Sequence, residues 1–247
     1  MLLLKCVEIS KEFGGLQALK KVDLRVEESS IAGLVGPNGS GKSTLLNIIS
    51  GVYKPDSGKI IFQDKEISRL PPYDICSLGI TKTSQTVQSF PGMTAVENVL
   101  TSVLFSRKES AEKMEPRVKA KELLDFVGLK QEKFNVLAKE LNVIELRRVQ
   151  LARALATKPK LLLLDELLTG LTPKESDEAI ELVKLLNKQG ITILMVEHIM
   201  RVIMGLCGTV TVLHHGEKIC EGTPGEVCND KHVINVYLGT KFAFDEG

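Results

Sequence analysis

The residues best suited to chemistry in this 247-residue chain form one short run, Gly36-Pro37-Asn38-Gly39-Ser40-Gly41-Lys42-Ser43. The run has the spacing GxxxxGK[ST] and lies between an apolar segment, Ile31–Val35, and a helical pattern that Gly51 ends. Glycines let backbone N–H groups converge on phosphate oxygens, and a helix N-terminus adds a positive dipole end. The run therefore predicts a nucleotide site that includes Thr44, with Lys42 at the β- and γ-phosphates and the Ser43 hydroxyl on Mg²⁺.

Three further polar residues follow two continuous apolar segments. Asp165 and Glu166 come directly after residues 161–164, and His198 comes two residues after residues 191–196. The carboxyl ends of parallel strands meet at one edge of an α/β sheet, where ligands bind. We expect Asp165 to hold Mg²⁺ directly or through water, Glu166 to be the general base for an attacking water, and His198 to donate to the γ-phosphate. A solvated loop carboxylate and a structural histidine are the alternatives.

The spacing of apolar residues predicts the elements that must position these groups. Strands are predicted at residues 2–9, 17–26, 31–35, 59–62, 161–164 and 191–196. A helical pattern at residues 173–188 separates the last two strands, which favours a parallel sheet covered on both faces. The segment from about residue 89 to residue 158 has helical patterns only, and residues 209–220 have the pattern of a hairpin around His214-His215-Gly216.

Composition and charge narrow the class of protein. Hydrophobic residues make up 43% and charged residues 26%, as in ordinary globular proteins, and a net charge of +1 gives no argument for bulk attraction to nucleic acid or lipid. No apolar stretch approaches the roughly 18 residues of a membrane span, so membrane association is expected to come through a partner. Five cysteines without a CxxC pair indicate reduced thiols rather than metal ligands or disulfides.

In chain order, the Gly-rich run, Gln85, the pair Asp165-Glu166 and His198 resemble the motifs of an ABC ATPase, and the resemblance covers about residues 5–238. It implies an α/β fold with a P-loop NTPase (RecA-like) core, an N-terminal antiparallel β subdomain and an inserted α-helical subdomain. Residues 1–247 would then form a single ATPase domain, with the helical subdomain at about 88–157.

The same resemblance implies ATP and Mg²⁺ as cofactors. In the family, a glutamine at the position of Gln85 senses the γ-phosphate and Mg²⁺ and links the site to the membrane partner. An aromatic residue near the N-terminus stacks on adenine, and Phe13 in Lys11-Glu12-Phe13-Gly14-Gly15 fits that position. The alternative for Phe13 is an aromatic side chain packed at a strand end.

Several blocks narrow the resemblance to the ATPases of bacterial and archaeal branched-chain amino acid importers. They are residues 13–19 (FGGLQAL), 90–99 (FPGMTAVENV), 221–224 (EGTP) and 236–239 (VYLG). Similar endings occur in ATPases for urea and for lipopolysaccharide export, so the cargo stays open between branched-chain amino acids and a related small polar solute.

The partners that the resemblance implies are proteins, with no nucleic acid among them. Transmembrane permease subunits would dock near Gln85 and residues 86–98 and would hold the chain at the cytoplasmic face of the membrane. A second ATPase subunit would complete a homodimer or heterodimer, and an extracytoplasmic solute-binding protein would act indirectly. An ATP-binding switch cassette with weak hydrolysis and a non-transport ABC ATPase are the alternatives. A GTPase is disfavoured, because residues 187–190 (NKQG) lack the Asp of NKxD.

The chain departs from the family pattern at three places. Residues 141–145 read LNVIE where the family has a signature close to LSGGQ, Leu167 replaces a proline, and Thr172 replaces an aspartate. The absent serine and glycines would present a hydroxyl and N–H groups to the γ-phosphate bound on the opposite subunit, and the bulky pair Val143-Ile144 should hinder that approach.

Two of these departures look like helix starts. Asn142 can cap the helix that follows it, and Thr172-Pro173-Lys174-Glu175 has the sequence of a capping box. The departures leave the chain's own nucleotide-binding residues intact. They affect the residues that would contact the nucleotide bound to a partner subunit, so the function of that second surface is in doubt. We therefore predict a heterodimer with two unequal sites.

Overall fold

The structure is a computed structural model that describes residues 1–84, 89–107, 114–166 and 170–238. Its strands are β1 (Leu2–Phe13), β2 (Leu16–Glu27), β3 (Ile31–Val35), β4 (Ser57–Phe62), β5 (Lys65–Glu66), β6 (Ile80–Lys82), β7 (Leu161–Asp165), β8 (Thr192–Val196), β9 (Thr209–His214) and β10 (Glu217–Gly222). Its helices are α1 (Lys42–Ile49), α2 (Pro72–Leu78), α3 (Ala95–Arg107), α4 (Pro116–Phe126), α5 (Val143–Ala156), α6 (Pro173–Lys188), α7 (Met200–Leu206), α8 (Pro224–Asn229) and α9 (Lys231–Leu238). Within the described ranges, every helix is too short or too polar to span a bilayer.

The first sheet is antiparallel and has the strand order β2-β1-β4-β5. β1 and β2 join at Gly14-Gly15, where both glycines have a positive φ that suits a tight hairpin turn. The alternation predicted for β1 and β2 buries one face, so that Leu4 and Leu24 belong to the same buried cluster as Leu45 of α1. This sheet confirms the predicted N-terminal antiparallel β subdomain.

The second sheet has the order β10-β9-β3-β8-β7-β6, and its strands are parallel except for β10, which forms a hairpin with β9. Every residue of β3, β7 and β8 is buried. Leu162 and Leu164 of β7 enter one hydrophobic core, and Leu161 and Leu163 enter the core on the opposite face. Burial on both faces explains why these strands are apolar at every position rather than at alternate ones.

Helices α3, α4 and α5 lie between β6 and β7, and the described part of that segment contains no strand. The loop that leads into α3 is held by the buried side chain of Asn98, which accepts from Phe90 N and donates to the carbonyls of Phe90, Met93 and Thr94. The predicted fold class, with its inserted helices, is therefore confirmed. The division of residues 1–247 into one domain with a helical subdomain at 88–157 stays a prediction.

Several short elements were not visible in the sequence. β6 has three residues, of which only Ile80 is buried, so it offers no alternation to read. Helices α2 and α7 have seven residues each, and α8 has six. Helix α1 begins at Lys42, and Gly41 adopts the left-handed conformation at its N-cap. All five cysteines are free, as predicted.

Candidate active site

The loop at residues 36–43 can follow its path because Gly36 and Gly41 lack a side chain. Gly36 has φ of 150° and Gly41 has φ of 105°. A Cβ atom at Gly36 would lie 2.1 Å from the carbonyl oxygen of Leu213, and one at Gly41 would lie 2.6 Å from that of Ala18. The loop is thus pressed against β9 and β2, and the N-terminus of α1 follows it directly. Backbone N–H groups at such a junction suit phosphate oxygens.

Lys42 lies buried beneath this loop. Its Nζ donates to the carbonyl oxygens of Gly36 at 2.7 Å and Pro37 at 2.8 Å. Burial lowers the pKa of Lys42, and the carboxylates of Glu166 and Asp165 act in the opposite direction. The ammonium group is therefore held at the loop by weak carbonyl partners, which phosphate oxygens can replace with stronger charge-assisted hydrogen bonds.

The structure brings Asp165, Glu166 and His198 to the same edge of the sheet as the loop. Asp165 ends β7 and is buried, with an Oδ1 atom that has no hydrogen-bond partner among the described residues. Glu166 has a positive φ of 53° and is held by a hydrogen bond from its N–H to Val196 O at the end of β8. Its Oε1 lies 2.9 Å from His198 Nε2. A carboxylate and an imidazole are thus paired where a reacting water would need a base.

A cleft of about 1180 Å³ opens over this edge. The predicted site residues that line it are Phe13, Asn38, Gly39, Ser40, Gly41, Lys42, Ser43, Thr44, Glu166 and His198. Gly36, Pro37 and Asp165 lie beside lining residues, since two of them hold Lys42 and the third precedes Glu166. Gln85 lies outside the described residues. The buried Ser40 Oγ has no hydrogen-bond partner within the described chain, so it is available to a ligand.

Several cleft residues were missed by sequence reasoning, and two of them have basic side chains. Lys20 of β2 and His215 of the β9–β10 turn both line the cleft. The turn reaches the loop through a hydrogen bond from Gly216 N to Ser40 O at 3.1 Å, and it reaches β2 through one from Lys20 N to Gly216 O at 2.7 Å. The hairpin itself was predicted, but nothing in its sequence reports that its turn docks on residues distant in the chain.

Phe13 stands at the rim of the cleft, where the resemblance places an adenine-stacking residue. Its side chain is 40% exposed. The ring meets Tyr53 edge to face, with 5.2 Å between centroids, and Lys11 Nζ lies 5.3 Å from its centroid. Tyr53, which follows α1, therefore holds Phe13 on one side while the ring still borders the cleft.

The donor atoms here suit Mg²⁺ in the presence of a nucleotide. Magnesium takes oxygen ligands, keeps several waters and is usually bound by one or two protein groups together with phosphates. The orphaned Oδ1 of Asp165 and the hydroxyl of Ser43 provide such a partial set, and the described residues hold no cluster of three metal-binding side chains. Phosphate and water would have to complete the shell.

The residues that differ from the family signature, 141–145, lie at the N-terminus of α5. Asn142 Oδ1 accepts from Glu145 N, and Glu145 Oε2 accepts from Asn142 N, both at 2.9 Å. Glu145 also pairs with Lys133 at 3.3 Å, and Val143 is 60% exposed. The capping predicted for Asn142 is therefore confirmed, and so is the capping box between Thr172 and Glu175. Leu167 lies outside the described residues.

Comparison with known proteins agrees with this geometry. A model of the ABC transporter family matches residues 19–169, and a model of the branched-chain amino acid ATP-binding cassette transporter matches residues 217–243. The chain is 37% identical over 243 residues to the high-affinity branched-chain amino acid transport ATP-binding protein LivG of Escherichia coli K12. The match covers 92% of this chain and 94% of LivG.

Solved structures resemble the chain over most of its length. A nucleotide-free ATP-binding cassette from an ABC transporter has a TM-score of 0.86 and 31% identity, and the match covers 97% of this chain and 100% of that one. The dimeric cassette MJ0796, in a post-hydrolysis state bound to ADP and Pi, has a TM-score of 0.83 and 29% identity, and the match covers 90% of this chain and 99% of that one.

Lys42→Ala should remove tight nucleotide binding, because it deletes the ammonium group that the loop holds for the phosphates. Loss of two charge-assisted hydrogen bonds corresponds to a drop in affinity of about 100-fold or more. Calorimetric titration with ATP measures it, with the exposed Lys160→Ala as the matched control. Unchanged affinity in a folded Lys42→Ala protein would contradict the assignment.

Glu166→Gln should spare ATP binding and stop hydrolysis. The amide keeps the shape and can still bond to His198, but it cannot accept the proton of water, which should slow the chemical step by about 10²–10⁴-fold. Single-turnover hydrolysis measures this step, with Glu181→Gln on the exposed face of α6 as the control. Hydrolysis at the wild-type rate would show that another group activates the water.

Proposed function

The chain belongs to the ABC transporter family of ATP-binding proteins, and we propose that it energises the import of branched-chain amino acids or of a related small polar solute. One observation carries the proposal: a phosphate-binding loop and a paired glutamate and histidine line one cleft, and a buried carboxylate lies directly beside them. Similarity to LivG along nearly the whole chain supports the cargo class.

Each proposed catalytic role follows from the position of a side chain. Lys42 and the loop N–H groups would hold the β- and γ-phosphates, with Lys42 exchanging carbonyl partners for phosphate oxygens. Glu166 would accept the proton of the attacking water. His198 would turn from Glu166 toward the γ-phosphate and donate to it as charge develops.

Binding of the rest of the cofactor would use the remaining predicted residues. Phe13 would stack on adenine at the rim of the cleft. Ser43, Asp165 and Gln85 would hold Mg²⁺, and bound Mg²⁺ supplies charge neutralisation at the β- and γ-phosphates.

The loop before α3 is our candidate for the permease contact. Phe90 and Met93 are 45% and 39% exposed, although Asn98 fixes the backbone between them. Exposed apolar side chains on a rigid loop suit a protein partner. Docking of permease subunits here, near residues 86–98, would place the chain at the cytoplasmic face of the membrane and leave a solute-binding protein on the far side.

The N-terminus of α5 favours a second, different ATPase as the dimer partner. In the family, each ATP lies between the loop of one chain and the signature of the other. The carboxylate of Glu145 already accepts from the backbone at this helix start and pairs with Lys133, so it occupies the position that a γ-phosphate would need. A homodimer would repeat this defect in both sites. A partner with a regular signature would repair the site built on Lys42 and Glu166.

The chain alone should therefore hydrolyse ATP slowly, even at concentrations at which it dimerises. Loss of a preorganised donor typically costs about 10²–10³ in rate. Steady-state hydrolysis by the chain alone is compared with hydrolysis by the reconstituted transporter. The matched variant restores the signature through Asn142→Ser, Val143→Gly, Ile144→Gly and Glu145→Gln, and it should raise the rate of the homodimer.

If the chain alone hydrolyses ATP as fast as an actively hydrolysing transporter, the idea of two unequal sites is ruled out. A slow rate in both, with tight ATP binding, would favour a switch cassette instead.

Transport itself is tested in a system reconstituted with any permease and second ATPase that the genes next to this one prove to encode. Proteoliposomes should take up radiolabelled leucine when ATP is supplied on the cassette side, and the Glu166→Gln protein should not support uptake. Uptake of urea rather than leucine would assign a different cargo. ATP turnover without uptake of either solute would favour the non-transport alternative.

A further inference from the structure

Lys82 is a partly buried cation for which the catalytic scheme above has no role. It ends β6, and its side chain is 13% exposed. Its Nζ lies 3.1 Å from Asp165 Oδ2 and donates to Asn47 Oδ1 at 2.6 Å. Asp165 is itself 2% exposed at its side chain, so the pair is shielded from water on the carboxylate side.

The two partners of Lys82 belong to the two elements that would hold Mg²⁺. Asp165 is a proposed metal residue, and Asn47 lies four residues after Ser43 in α1, which places both on one face of that helix. Lys82 therefore ties the strand that carries the carboxylate to the helix that carries the hydroxyl.

Attachment of the edge strand β6 to the sheet does not by itself account for this ion pair. Burial of two charges costs free energy that their attraction often fails to return. β6 is already joined to β7 by its backbone, with a further hydrogen bond from Thr83 N to Leu163 O at 2.9 Å. A role in charge balance at Asp165 accounts for the pair better than a role in holding the strand.

Lys82 engages one of the two oxygens of the Asp165 carboxylate. It engages Oδ2, whereas Oδ1 has no hydrogen-bond partner among the described residues. Lys42, the other nearby cation, directs its Nζ to the carbonyls of Gly36 and Pro37. The direct counter-ion of Asp165 is thus Lys82.

We propose that Lys82 keeps the nucleotide-free site from taking up a free divalent cation, so that the metal enters only together with the phosphates of the nucleotide. The inference rests on the proposed metal role of Asp165. The ammonium groups of Lys82 and Lys42 together offset the carboxylates of Asp165 and Glu166, so a free Mg²⁺ ion meets no net negative charge there. The complex of Mg²⁺ with ATP is an anion, and the same two ammonium groups attract it. Lys82 acts through Asp165 and is a positioning residue.

Metal binding without nucleotide tests the proposal. Mn²⁺ is titrated into the nucleotide-free protein and followed by electron paramagnetic resonance. Lys82→Met should bind Mn²⁺ at least about tenfold more tightly than the wild type, because one repelling charge is gone. Lys82→Arg keeps the charge and should bind Mn²⁺ as the wild type does. Lys59→Met removes an exposed lysine that pairs with Glu66, and it should leave the affinity unchanged.

A second variant locates the ion. Adding Asp165→Asn to Lys82→Met should abolish the gain in affinity. Unchanged or weaker Mn²⁺ binding by a Lys82→Met protein that melts normally would overturn the proposal, as would a gain that survives Asp165→Asn. Lys82→Gln is measured in the same way if Lys82→Met does not fold. Because the titration needs neither hydrolysis nor transport, its failure is distinguishable from a failure of the proposed function.

Discussion

Parallel pairing of β3, β8 and β7 is the constraint on which the rest of the site depends. The three strands run in one direction, so the phosphate-binding loop, His198 and the pair Asp165-Glu166 all follow their carboxyl ends at one edge. The hydrogen bond from Glu166 N to Val196 O ties the ends of two strands together at that edge. Groups separated by more than a hundred residues in the chain therefore meet without any long connecting loop.

Burial of the same strands determines how the charged side chains of the site are paired. Because β7 contributes to a core on each face, Asp165 at its end is removed from water, and its charge must be met by a protein cation. Lys42 is buried beneath the loop and bonds to carbonyl oxygens only. The charged side chains of the site are thus paired with each other or with carbonyl oxygens. A triphosphate that binds can replace these partners at little cost in reorganisation.

Local patterns in the sequence were sufficient for the fold class and for the parts of the site that lie on continuous motifs. The loop at 36–43, the apolar strands β7 and β8 and the helix at Pro173–Lys188 were each readable, because each element is specified by its own residues. β6 was not, since three residues carry no period. Lys82 was missed for the same reason. His215 lay in a predicted turn, but its place beside Ser40 depends on the pairing of β9 with β3, which are distant in the chain, and no local pattern records that pairing.

The N-terminus of α5 shows how local stability and intersubunit chemistry compete for the same backbone groups. A capping box satisfies N–H groups at a helix start, and such capping typically contributes about 0.5–2 kcal/mol. The Glu145 carboxylate that completes the box occupies the positive end of the helix dipole, where a phosphate would otherwise be stabilised. A chain that caps this helix internally gains a stable start for α5. In the heterodimer proposed above, it would give up its ability to serve the opposite nucleotide, and a different subunit would supply the missing donors. That arrangement would explain how the loop, Glu166 and His198 stay complete while the surface offered to the partner does not.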